Sequence, residues 1–242
     1  VVSLSSKTSM PSFIHGYRTQ GVLALDSQEL YSIAVDDKRR PVACGRLNGG
    51  LTLSTSPQKT LTVKAAAEGF CVVLDQNLTL QDGRLVGGGG YSATSDQDER
   101  VLGAALLPAA NGDTRQLAVA GHQSGLETLD HNSLADLRYR LPGSHLLSEG
   151  ELKAVVVDPK SPTTLYIAGY LKTGYGSHYG RGGDEGFVAR FELTKDRGLV
   201  QTWIAFLSGT GEDRLLDLAV DESGVYVVGS YQASAYGETT LG

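Results

Sequence analysis

The stretch Leu215-Leu216-Asp217-Leu218-Ala219-Val220-Asp221, followed by a Ser223-Gly224 turn and then Val225-Tyr226-Val227-Val228-Gly229-Ser230, decides how this chain folds. Two short apolar, β-prone runs flank a tight turn, which is the pattern of a β-hairpin. The same pair recurs as Leu30-Tyr31-Ser32-Ile33-Ala34-Val35-Asp36 with Pro41-Val42-Ala43-Cys44-Gly45, and as Leu152-Lys153-Ala154-Val155-Val156-Val157-Asp158 with Leu165-Tyr166-Ile167-Ala168-Gly169. A looser copy runs from Val101 to Leu107 and from Gln116 to Gly121. In this alignment Leu30, Val101, Leu152 and Leu215 are equivalent, as are Val35, Leu106, Val157 and Val220. Even spacing points such residues to one face of a strand, so both columns are expected to be buried between neighbouring sheets. The glycines that close the second runs, Gly45, Gly121, Gly169 and Gly229, lie 76, 48 and 60 residues apart. Unequal steps of this kind are what loop insertions produce.

Between successive hairpins stand two further strand-like runs, best seen as Gly186–Phe191 and Thr202–Gly209. Their counterparts are Gly69–Leu74 with Gly83–Gly87, and Leu126–Asp130 with Asp136–Leu141. Each repeat therefore holds four strands, and the repeats fall near 26–87, 98–141, 149–209 and 212–242. Helix signals are confined to single turns at Lys64–Glu68 and Ser133–Leu137. Four-stranded units without intervening helices predict an all-β fold, a β-propeller of four-stranded antiparallel blades with about four blades in this chain. One twisted sheet cannot bury both of its apolar faces alone, and stacking neighbours does so for every unit. A two-sheet sandwich is the runner-up, although it gives no reason for one motif to recur four times. The β-like runs Val1–Ser5 and Gly21–Leu25, within 1–25, can supply closing strands beside Val225–Ser230 and so make a four-bladed ring. The alternative is a piece of a larger propeller.

The run Trp203–Gly211, then Asp213, Asp217–Asp221 and Gly224–Ser230, resembles the bacterial β-propeller repeat known as the seven-bladed β-propeller type. Asp184–Phe191 resembles the strand that follows the long loop in that family, and the strand order is also similar to Kelch-type repeats. The match is good over Leu152–Ser230, fair over Leu30–Leu74 and poor over Asp75–Leu141. The resemblance implies a propeller in a bacterial cell-surface or secreted, hence extracellular, protein, and it carries no shared catalytic chemistry.

Composition agrees with a folded domain. The 21 Lys and Arg against 27 Asp and Glu leave a net charge of −6, which argues against a nucleic-acid partner held by counterion release. Glycine accounts for 31 of 242 residues, about twice the usual share of about 7%, as turn-rich β structure requires. No run approaches the roughly 18 apolar residues of a membrane helix, so membrane insertion is not expected. The start Val1-Val2-Ser3 carries neither an initiator Met nor a charged leader, which reads as a mature form or a fragment. Cys44 and Cys71 lie in the second and third strands of one repeat. They can bridge only if they sit directly opposite, and the expectation is two reduced, buried thiols.

In a Kelch-like order the long segments Arg46–Glu68, Tyr170–Glu185 and the tail from Tyr231 leave one face, and long loops on a rigid scaffold are where binding is usually found. The richest carries Tyr170, Tyr175, His178, Tyr179 and Arg181, candidate ligand-binding residues for a protein or carbohydrate partner, because Tyr offers amphipathic area and Arg a rigid donor fork. The plain alternative is a loop whose tyrosines cover the edge of the sheet. Acidic residues precede each inner strand, with Glu29, Glu99, Glu151 and Asp213 as candidate metal ligands. Converging carboxylates suit calcium when six or more oxygens gather. Otherwise such residues accept backbone N–H bonds that lock neighbouring sheets, and no DxDxDG loop occurs. No cofactor is otherwise expected.

The five histidines His15, His122, His131, His145 and His178 show no HExxH spacing, and no GxSxG elbow is present. The expected function is a non-enzymatic binding or structural module that presents its loop-rich face to a protein or glycan partner within a larger assembly. The alternative is a polysaccharide hydrolase or lyase using acidic residues such as Glu212 and Asp213 at the channel mouth.

Overall fold

The computed structural model describes residues 2–4, 11–14, 28–35, 39–53, 59–63, 67–77, 80–86, 100–107, 116–122, 125–130, 150–171, 183–194, 198–207, 209 and 211–232. Every regular element among them is a strand. In chain order these are β1 (Val2–Leu4), β2 (Pro11–Ile14), β3 (Gln28–Val35), β4 (Pro41–Leu47), β5 (Gly50–Leu53), β6 (Lys59–Thr62), β7 (Glu68–Leu74), β8 (Leu80–Val86) and β9 (Arg100–Leu107). They continue as β10 (Gln116–His122), β11 (Gly125–Asp130), β12 (Gly150–Val157), β13 (Thr164–Leu171), β14 (Glu185–Thr194), β15 (Gly198–Leu207), β16 (Arg214–Val220) and β17 (Val225–Ser230). No helix among the described residues is long and apolar enough to cross a membrane.

The strands form antiparallel units in sequence order. Sheet I runs β3-β4-β7-β8 and sheet III runs β12-β13-β14-β15, each with four strands. Sheet II holds β9, β10 and β11, joined to sheet III by the single register pair His122–Glu151. Unit IV is the hairpin β16-β17. The expected fourth strand of the second repeat, Asp136–Leu141, lies outside the described residues, as does the turn expected at Ser133–Leu137.

Register explains the repeated glycines. In each unit the first strand carries one extra residue opposite the second: Tyr31 between the pairs Leu30–Gly45 and Ser32–Cys44, and Lys153 between Leu152–Gly169 and Ala154–Ala168. Leu216 stands in the same place between Leu215–Gly229 and Asp217–Val228, and Leu102 between Val101–Gly121 and Gly103–Ala120. The bulge bends the first strand against its partner. A Cβ on Gly45, Gly169 or Gly229 would collide with the carbonyl oxygen of Glu29, Glu151 or Arg214. Glycine is therefore dictated here by close backbone approach rather than by a left-handed φ.

The hairpin turns have their own side-chain support. Asp221 Oδ1 accepts from the Ser223 amide at 2.7 Å and the Gly224 amide at 3.1 Å. Asp158, at the same place in the third repeat, accepts from the Lys160 amide at 2.8 Å. These are Asx turns, in which a short carboxylate closes the chain on itself.

Apolar faces pack unit against unit. The first strand β9 lies against β3, β4 and β7, β12 lies against β9, and β16 lies against β12, β13 and β14. Val42, Cys44 and Val73 of sheet I meet Val101 and Ala104 of sheet II, where the Ala104 amide also donates to Ser32 Oγ at 2.9 Å. Ala105 and Leu107 meet Leu152, Val155 and Ile167 of sheet III. On its other face, sheet III presents Ala154, Tyr166 and Ala168 to Leu215 and Leu218.

Several expectations are corrected. The cysteines are not free thiols: Cys44 and Cys71 are register partners on β4 and β7, with Cα atoms 4.1 Å apart and a disulfide between them. Direct opposition is the geometry that permits the bond. The segment Arg46–Glu68 is not simply a loop, since β5 pairs with β6 within it and Leu61 packs on sheet I beside Phe70 and Leu74. Glu68 begins a strand rather than belonging to a helical turn. Of the two repeat columns, Val101, Leu152 and Leu215 are buried, but Leu30 and Val35 are exposed, because no sheet precedes sheet I among the described residues. Leu106, Val157 and Val220 are half-buried, all in equivalent strands. The expected closure by Val1–Ser5 is not seen. Val2–Leu4 pairs with Pro11–Ile14, β17 pairs only with β16 among the described strands, and no closed ring forms among them. A local hairpin costs less loop-closure entropy than pairing across the whole chain. The other candidate closing strand, Gly21–Leu25, lies outside the described residues.

Candidate functional site

Antiparallel alternation gathers the starts of β12 and β16 and the ends of β13 and β15 at one rim of the molecule. Tyr170, near the end of β13, faces Glu151 in register. From β16 the Arg214 guanidinium lies over the Tyr170 ring at 4.9 Å from its centroid, and Lys153 Nζ stands 5.8 Å from it. Both contacts are in cation–π range. Lys153 also pairs with Glu151. Arg214 donates through Nε to Asp184 Oδ2 and through Nη2 to Glu212 Oε2 at 3.1 Å.

These neighbours set the ionisation of the site. Burial pushes the Tyr170 hydroxyl up to about 12, with the Glu151 charge adding to the rise and Arg214 opposing it. The hydrogen bond to Asp184 raises the Arg214 pKa against partial burial, so the guanidinium stays charged. The arrangement is a row of cations and acceptors around one phenol.

Of the candidate binding residues, Tyr170 belongs to this cluster, while Tyr175, His178, Tyr179 and Arg181 lie outside the described residues. Asp184, Lys153 and Arg214 were not anticipated. Their signal in the sequence was faint: Asp184 precedes the strand after the long loop, and Arg214 directly precedes the Leu215 column.

The candidate metal ligands do not form one ring. By register, the position before the first repeat column is Glu29, Arg100, Glu151 and Arg214, opposite Arg46, His122, Tyr170 and Ser230. Charge thus alternates in sign from unit to unit, whereas Asp213 sits one residue earlier and Glu99 lies outside the described residues. Glu29 accepts from the Tyr31 hydroxyl. Asp213 is fully buried and accepts from the Gly209 amide and, through Oδ1, from the Gln232 amide at 2.9 Å. It ties the entry of β16 to the chain beyond β17, the locking role of a strand-entrance carboxylate. Among the described residues, no group of three or more His, Cys, Asp or Glu is placed to hold a metal ion.

Further backbone bonds fasten the same junction: Gly183 N donates to Gly211 O at 3.1 Å and Asp213 N to Asp184 O at 2.7 Å. At the opposite rim Lys160 Nζ donates to Glu222 O at 2.8 Å. Neither a protein-family model nor a curated protein matches the chain.

Proposed function

We propose that this chain is a non-enzymatic binding or structural module whose stacked sheets form an arc of a β-propeller, presenting one loop-rich rim to a protein or glycan partner at a cell surface or in a secreted assembly. The observation that carries the reading is the asymmetry of the connections. Segments 48–67, 87–99 and 172–184 leave at the rim where the inner strands begin, which also carries the shorter 123–124 and 208–213, while the opposite rim is closed only by 36–40, 75–79, 108–115, 158–163, 195–197 and 221–224. Long connections on a rigid stack supply variable contact surface without disturbing the core. The Tyr170, Lys153 and Arg214 cluster lies at that rim. The disulfide supports an oxidising compartment, where such bonds persist.

The polysaccharide-cleaving alternative needs a pair of carboxyls free to act as acid and base. Asp213 spends its oxygens on backbone amides and Glu212 is paired with Arg214, which favours binding over turnover. A panel of glycans and polysaccharides, assayed for retention and for cleavage, tests the reading. Retention without cleavage, weakened at least about tenfold by combined Tyr175→Ala and Tyr179→Ala, equivalent to about 1.4 kcal/mol, is the expected result. Turnover that disappears in Glu212→Gln or Asp213→Asn would establish the enzyme instead.

A further inference from the structure

The two ends of the stack expose opposite halves of one junction. At each internal junction, the first strand of one unit inserts its column residues onto the preceding unit: Val101 and Ala104 onto sheet I, Leu152 and Val155 toward sheet II, Leu215 and Leu218 onto sheet III. The register equivalents in sheet I are Leu30 and Ile33, with Val35 beyond them, and these are 50%, 55% and 57% exposed. The receiving surface is just as regular. Val42 and Cys44 in sheet I, and Tyr166 and Ala168 in sheet III, are covered by the next unit. Their equivalents in unit IV are Tyr226 and Val228, 53% and 62% exposed. Among the described residues, one end therefore carries an inserting face without a receiver, and the other a receiving face without an insert.

Charge completes the match. The rim column reads Glu29, Arg100, Glu151, Arg214, alternating in sign from one unit to the next. Placing Glu29 of a second molecule after Arg214 of the first continues the alternation. Complementary potential of this kind fixes register and disfavours wrong pairings.

We propose that the exposed faces recognise each other between copies of this chain, so that β3 of one molecule docks on the β16-β17 hairpin of the next, head to tail. The contact is heterologous: the two surfaces differ, and each molecule offers both. Association then continues until the rotation per molecule closes a ring or, failing closure, extends a filament.

Heterologous pairing predicts a complementation that no isologous dimer shows. Ile33→Glu damages only the inserting face, and Val228→Arg only the receiving face. In sedimentation velocity the unaltered chain is expected to form species larger than a monomer as concentration rises, and each variant alone is expected to remain monomeric. An equimolar mixture of the two should yield a one-to-one dimer and nothing larger, since one intact face survives on each. Both substitutions sit on exposed positions, and circular dichroism checks their folding. Val35→Lys and Tyr226→Lys probe the same two faces if either first variant fails to fold. An unaltered chain that stays monomeric throughout, whether through contacts within one molecule or because a different protein covers these faces, would overturn the proposal. So would a mixture that remains monomeric. The substitutions Tyr175→Ala and Tyr179→Ala, which probe glycan or protein binding, should leave association unchanged, and this separates the two tests.

Discussion

A methyl group is enough to distinguish the repeat glycines from an ordinary turn glycine. Gly169→Ala would drive a Cβ into the Glu151 carbonyl, and overpacking against backbone typically costs about 1–3 kcal/mol. Gly224 has open space around its Cβ position and no left-handed φ, so Gly224→Ala should fall within about 0.5 kcal/mol of the parent. Urea denaturation of the two variants side by side checks the contrast. Tyr170 supplies a second test through its phenol, whose folded-state pKa is raised to about 12 above an unfolded value of about 10. A raised acid favours the protonated form in the folded state, so its contribution to stability is complete below about pH 10 and is lost as pH climbs towards 12. Ultraviolet titration should show a late-ionising tyrosine that disappears in Tyr170→Phe. The glycine column was visible in the sequence as a spacing, but its cause was not, because a bulge is a relation between two strands and leaves no residue signature of its own.

At the level of elements, strand existence was legible because apolar alternation and turn residues are local. Each run quoted for the first, third and fourth repeats has a strand over most of its length. What could not be read was pairing that depends on small offsets. Cys44 and Cys71 were visibly in neighbouring strands, but only the register brings them directly opposite. The short β5-β6 hairpin was hidden because its two four-residue strands sit among polar residues. The cluster around Tyr170 was half legible: the tyrosine stood out, but Arg214 and Asp184 come from elements remote in sequence. The disulfide spans 27 residues, for which loop-closure entropy gives about 3–4 kcal/mol. Alkylation in denaturant before reduction should find no free thiol by mass spectrometry, and reduction should lower the denaturation midpoint by a corresponding amount.

At the scale of the whole molecule, the four units among the described residues stack in sequence order, each first strand against the preceding unit, and this organisation was legible from the recurrence of one motif. Closure was not, because strand pairing between distant segments depends on geometry that repetition does not encode. Since β1 pairs with β2 and neither makes extended contact with the other strands among the described residues, deleting residues 1–16 should shift the melting temperature by less than about 2 °C, a change of at most about 1 kcal/mol for a chain of this size. Differential scanning calorimetry reads it directly, and a collapse of the transition would show that the hairpin braces the stack. The disulfide also gives the molecule a mechanical character. When the chain is stretched from its two termini, tension passes through the sulfur bridge, and the intervening segment with its β5-β6 hairpin bears no load. A fully extended chain should therefore be shorter by roughly 90 Å than after reduction, at about 3.3–3.6 Å per residue. Optical-tweezer traces with and without reductant would record the 27-residue interval as hidden length released only when the sulfur bond is cut.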